Sequence, residues 1–194
     1  MKRFDLLKII SVRICWSKGK DWLISKNIQR LDKSFFNHVF LMITFSNGLV
    51  LILESHFKGG VQITTVNRLA RAKASGKVIF TYEHEIKMEE ESMMHIWSRF
   101  CDLDGDGYDI KRIIGYWLWI RLTSKKGKKA WKLHSKGKYT CNELVVELLS
   151  GLCEKLPVRD FRLTPEGLFV RFIGESSLKK FAPKPKYPKH AIID

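Results

Sequence analysis

The sequence predicts an α+β domain in which an antiparallel sheet packs against helices. Three observations carry this. Two apolar, β-branched-rich runs flank Ser46-Asn47-Gly48 in "NHVFLMITFSNGLVLILESHF", a strong hairpin signal. Later segments switch to helical spacing, so that Leu144, Val145, Leu148, Leu149 and Leu152 fall on one face. Finally, 194 residues that are 45% hydrophobic suffice to enclose one sizeable core. Residues 1–175 read as a single domain. Residues 176–194, rich in Pro and Lys, read as a loosely held basic tail.

Taken in order, the chain opens on "MKRFDLLKIISVRICWSKGK", an irregular apolar run interrupted by Lys8 and Arg13. It lacks the cleavage site of a secretory signal, and "HVFLMITF" and "IIGYWLWI" are too short to span a bilayer. A soluble protein made in the cytoplasm is expected, released only by lysis or a dedicated secretion route. "DWLISKNIQRL" fits a short strand or helix. The hairpin follows, apolar on both faces and therefore expected to be covered on both. "KGGVQI" reads as a turn and a short strand, "VNRLARAKA" as a short helix and "KVIFTYEHE" as another strand. "MEEESMMHIWSRFC" is helical, with acids in its first turn. "YDIKRIIGYWLWIRL" reads as a buried helix, with a strand the alternative that its β-branched and aromatic content leaves open. In "TPEGLFVRF", Thr164 is an N-cap with Pro165 at the first helical position.

"KYTCNELVVELL" carries the main chemical signal. Thr140 and Glu143 fit a capping box, which puts Cys141 at the first helical position. Backbone N–H groups there lack helical partners, and the dipole favours negative charge. Thiolates are favoured in such settings, and the same N–H groups can hold an oxyanion. Taken alone, the stretch favours a buried structural cysteine over a catalytic one, because free Cys is among the most buried residue types. Cys15, Cys101 and Cys153 lack this setting, and the four cysteines match no zinc pattern. Free thiols are expected.

A nucleophile needs a base, and His38 stands where a buried strand begins. Glu54, near the end of the second hairpin strand, is the candidate orienting partner, with His56 beside it. Register decides whether they meet. A two-residue Asn47-Gly48 loop would turn Glu54 and His38 to opposite faces. A three-residue Ser46-Asn47-Gly48 loop, with Gly48 left-handed, pairs Phe45 with Leu49 and Phe40 with Glu54, and sets His38 opposite His56. His38, Glu54 and His56 then share a face. The three-residue loop is expected.

These segments, "HVFLMI…NGLVLILESHFKGGVQI", "GYDIKRI", "YTCNELVVELL" and "LTPEGL", resemble the circularly permuted papain-like family of NlpC type, in particular its YiiX-like branch. The resemblance spans about residues 21–168. It implies a permuted papain-like fold with Cys141 as nucleophile, His38 as base and Glu54 at the third polar position. Asn142 stands where the family usually has Ser, which leaves the cap intact. The implied activity is a thiol-dependent hydrolase, an amidase or endopeptidase acting on peptides such as those of the cell wall. Lipid esters or amides are the alternative acyl substrates, through an acyltransferase or thioesterase reaction. The pair is then expected to meet within about 4 Å. No metal or cofactor is implied.

Net charge is +15, with acid-free basic stretches at residues 121–138 and 179–190. These fit solvated loops. They also fit a contact with an anionic surface such as cell wall, membrane or nucleic acid. With Trp131 and Tyr139 interleaved, they give a competing reading as a nucleic-acid-binding module. "DLDGDGYDIKRI" starts like an EF-hand loop, with Asp102, Asp104, Asp106 and Gly107 in place. It has Ile113 where the bidentate Glu belongs, and reads as an acidic turn.

Overall fold

The computed structural model describes residues 8–19, 35–111, 137–159 and 163–181. Five antiparallel strands form one sheet in the order β4-β3-β2-β1-β5. They are β1 (Ile9–Gly19), β2 (His38–Phe45), β3 (Val50–His56), β4 (Gly60–Thr65) and β5 (Val78–Glu85). The helices are α1 (Val66–Ala74), α2 (Glu90–Leu103), α3 (Cys141–Leu149), α4 (Pro165–Ile173) and α5 (Glu175–Phe181). The expected α+β class is therefore observed.

Alternation along the strands divides the apolar residues between two layers. Val39, Leu41 and Ile43 of β2 join Val12, Ile14 and Trp16 of β1 in the main core. Leu144, Val145 and Leu148 of α3 and Phe169 of α4 close that core from one side. The opposite face carries Cys15, Phe40, Met42 and Ile52, covered by Leu69 of α1. This explains why β2 is apolar at successive positions: both of its faces are covered.

β1 was the least legible strand. Its irregular apolar run is an eleven-residue strand lying between β2 and β5. Arg13 and Lys18 emerge towards solvent while Ile14 and Trp16 are fully buried. Trp16 donates its ring N–H to the carbonyl of Pro165 at 2.8 Å and meets Phe169 edge-on, which ties α4 to the sheet. At the other end of the chain, α5 extends the packed body beyond position 176, since Leu178 is buried. The segment at residues 21–31, the basic stretch at 121–136 and most of the predicted helix at 108–122 lie outside the described residues.

The acidic turn has a structural job. Gly105, left-handed at φ 90°, turns the chain out of α2. The turn then docks on β4 through Val61 N–H to the Asp106 carbonyl (2.7 Å) and Gly105 N–H to the Val61 carbonyl (3.0 Å). Gly60 adopts φ 68°, and a Cβ there would run into the Asp106 carbonyl oxygen. From this anchor Gly107 exchanges backbone hydrogen bonds with Gly137 and Tyr139, placing Tyr108 next to the start of α3.

Candidate active site

The three-residue turn forms as expected. Phe45 N–H donates to the Leu49 carbonyl, Gly48 N–H donates to the Phe45 carbonyl, and Gly48 has φ 83°. The pairing Leu41↔Leu53 and Met42↔Ile52 carries the register on, so that Phe40 faces Glu54 and His38 faces His56. Glu54 is thus diagonal to His38 on one face. Its Oε2 lies 2.9 Å from His38 Nε2.

The Cys141 helix starts as its sequence dictates. Thr140 and Glu143 form the capping box, with Glu143 Oε2 accepting from Thr140 N–H at 2.8 Å and from the Thr140 hydroxyl at 2.6 Å. Cys141 follows as the first helical residue and is buried. Asn142 anchors this turn to the chain before α4, because its amide N–H donates to the Leu163 carbonyl at 2.5 Å. Ser55 Oγ donates to the Tyr139 carbonyl, also at 2.5 Å, tying β3 to the same turn. At the far end of α3, Arg99 from α2 donates to the Ser150 carbonyl at 3.0 Å.

The two halves meet. The His38 ring hydrogen-bonds Glu54, and it lies close enough to Cys141 for that side chain to raise its pKa. Burial alone would lower the His38 pKa, but the contacts with Cys141 and Glu54 outweigh it and hold the ring at about 10. Burial likewise works against the Glu54 carboxylate, and the bonds from His38 and Thr64 overcome it, holding its pKa at about 2. The pair therefore carries opposite charges across the neutral range. His56 takes a different part. Its ring stands edge-on to His38 with centroids 6.3 Å apart, and burial together with the His38 charge lowers its pKa. Glu54, not His56, holds the His38 ring.

The other cysteines are disfavoured as thiolates. Burial pushes all three thiols up, with Glu83 adding to the effect at Cys15 and Asp104 and Asp102 at Cys101.

One residue near the sulfur was not singled out from sequence. Tyr108 lies in the field of Cys141; burial first, then the charges of Cys141 and Asp109, push its hydroxyl well up. The Tyr108 hydroxyl therefore stays protonated across the neutral range. The available signal was its place in "GDGYDI", directly after the turn that docks on β4. Tyr139, two residues before Cys141, has its phenol pushed up by burial and by Glu147 and Asp106, against the pull of Arg159. Among the described residues, no group of three or more His, Cys, Asp or Glu is placed to hold a metal ion. No helix among them is long and apolar enough to cross a membrane. No family model matches the chain, and no curated protein matches it in sequence.

Proposed function

We propose that this chain is a thiol-dependent acyl hydrolase of the permuted papain-like, NlpC-type family, acting as an amidase or endopeptidase through Cys141, His38 and Glu54. The observation that carries the reading is the 2.9 Å hydrogen bond from His38 to Glu54, on a ring close enough to Cys141, the first residue of α3, for that side chain to raise the ring's pKa.

The chemistry follows from the charges. With His38 held at about 10, its imidazolium already carries the proton when the acyl substrate arrives. The Cys141 sulfur attacks the acyl carbon, and the carbonyl π pair moves onto oxygen. Backbone N–H at the first turn of α3 and the Tyr108 hydroxyl are the donors for that oxyanion. As the carbonyl reforms, the bond to the leaving group breaks, and the imidazolium gives its proton to the departing amine or alkoxide. Now neutral, His38 takes a proton from water as the oxygen attacks the thioester. Collapse of the second oxyanion releases the carboxylic acid product, and the proton on His38 restores the starting pair. Glu54 keeps the ring oriented throughout.

The test is the rate of Cys141 alkylation by iodoacetamide from pH 4 to 9, followed by mass spectrometry. Cys15, Cys101 and Cys153 are internal controls, and the series is repeated in His38→Ala. Fast reaction of Cys141 well below pH 8, lost without His38, supports the reading. A panel of peptide amides and lipid esters then separates a peptidase from a lipid acyl hydrolase. A Cys141 rate no greater than that of exposed Cys101 would sink the proposal.

A further inference from the structure

We propose that Thr64 and Arg68 are positioning residues that clamp Glu54 and thereby aim the His38 ring at Cys141. The proposal deepens the hydrolase reading and rests on it for its catalytic meaning.

Glu54 is only 8% exposed, and a carboxylate so buried needs both oxygens satisfied. Oε2 takes His38 Nε2 at 2.9 Å. Oε1 accepts from the Thr64 hydroxyl at 3.1 Å and lies 3.8 Å from Arg68 Nη1. The register explains the first contact: Glu54 pairs with Gln62 and Ile52 with Thr64, so Thr64 is diagonal to Glu54 on the same face. The second contact follows from Thr65, which caps α1 and starts a helix whose first turn brings Arg68 back over the carboxylate. One short stretch, "TTVNR" at residues 64–68, supplies both groups.

Both groups approach the oxygen that His38 does not use. The last torsion of a Glu side chain is broad and roughly two-fold, so a free carboxylate exchanges its oxygens readily. Fixing Oε1 removes that freedom and holds Oε2 on the imidazole. Thr64 is the stronger half, because it is buried and donates to a charge. The Arg68 side chain is 48% exposed, and solvent screens its pull.

The experiment compares wild type with Thr64→Val, Thr64→Ser and Arg68→Gln. The first keeps the β-branched shape and removes only the donor. Two readouts are taken: the titration of the Glu54 carboxyl by ¹³C NMR, and the Cys141 alkylation rate at pH 7 against Cys101. In Thr64→Val, Glu54 titrates about one pH unit higher, a tenfold weaker hold on the charged form. Cys141 reacts about tenfold more slowly while Cys101 is unchanged, and Thr64→Ser restores both. Arg68→Gln, on the exposed surface of α1, raises the Glu54 titration less, and keeps the clamp testable should Thr64→Val not fold. A folded Thr64→Val whose Glu54 titrates as in wild type overturns the clamp; a merely structural Thr64 would lower the melting temperature without moving that titration. A wild-type Cys141 that reacts no faster than Cys101 overturns the hydrolase reading instead, and the Glu54 titration still decides the clamp.

Discussion

His38 Nε2 and Glu54 Oε2 lie 2.9 Å apart, on strands whose register is set by a turn at Ser46-Asn47-Gly48. That contact, and the one from the same ring to Cys141, govern how the protein should respond to pH and to substitution.

Removing the sulfur should be felt at the ring. The Cys141 contact helps hold His38 at about 10, so Cys141→Ala lowers the pH at which the ring titrates. ¹H–¹³C NMR of the imidazole reads this directly. Turnover of any acyl substrate should fall at least about a thousandfold. An unchanged His38 titration would mean that sulfur and ring do not touch.

Stability should peak in mildly acidic solution as far as this pair decides it. His38 rises from an ordinary 6.5 to about 10, so its contribution is complete below pH 6.5 and is lost as pH climbs towards 10. Glu54 falls from 4.5 to about 2, so its contribution is complete above pH 4.5 and is lost as pH drops towards 2. Both act between. Each proton accounts for at most about 1.4 kcal/mol per pH unit. Urea midpoints measured from pH 3 to 10 should show the alkaline decline, and His38→Ala should flatten it. A decline that persists unchanged in His38→Ala would assign it to other groups.

Tyr108→Phe keeps the ring and removes the hydroxyl that the proposed mechanism uses as an oxyanion donor. Loss of one oxyanion donor costs about a hundredfold in kcat, and KM should change little. If kcat is unaffected, the backbone N–H groups of α3 suffice alone.

Gly60→Ala should act on the site from a distance. Gly60 is left-handed and touches the carbonyl of Asp106, so a methyl group must push the turn that carries Tyr108. The expected loss is above about 1 kcal/mol in unfolding free energy, with slower alkylation of Cys141. A variant as stable as wild type would show that the turn can move without cost.

Trp16→Ala should cost about 3–5 kcal/mol, as large aromatic deletions in cores do. Trp16 is fully buried and joins β1 to α4 through the Pro165 carbonyl and Phe169. Thermal or chemical denaturation reads this, and a loss below about 1 kcal/mol would mean that β1 is not held as described.

The hairpin and the Cys141 helix were legible because their signals are local. Asn47-Gly48 fixes a turn within a few residues, and Thr140 with Glu143 forms a cap within one helical turn. β1 was not, because its periodicity is broken by Arg13 and Lys18 and its identity comes from two neighbours distant in sequence, β2 and β5. Tyr108 was missed for the same reason. Tyr139 lies two residues before Cys141 in the chain, whereas Tyr108 comes beside the start of α3 only because Gly107 pairs with Lys138.

That pairing bears on how such a chain tolerates change. Gly107 N–H donates to the Gly137 carbonyl, and Tyr139 N–H donates to the Gly107 carbonyl. The two points of departure of the intervening segment are thus stitched side by side, independently of what lies between Lys111 and Gly137. Backbone groups alone make these two bonds, so a changed side chain at Tyr139 leaves the stitch, and the placement of Tyr108 beside the start of α3, in place.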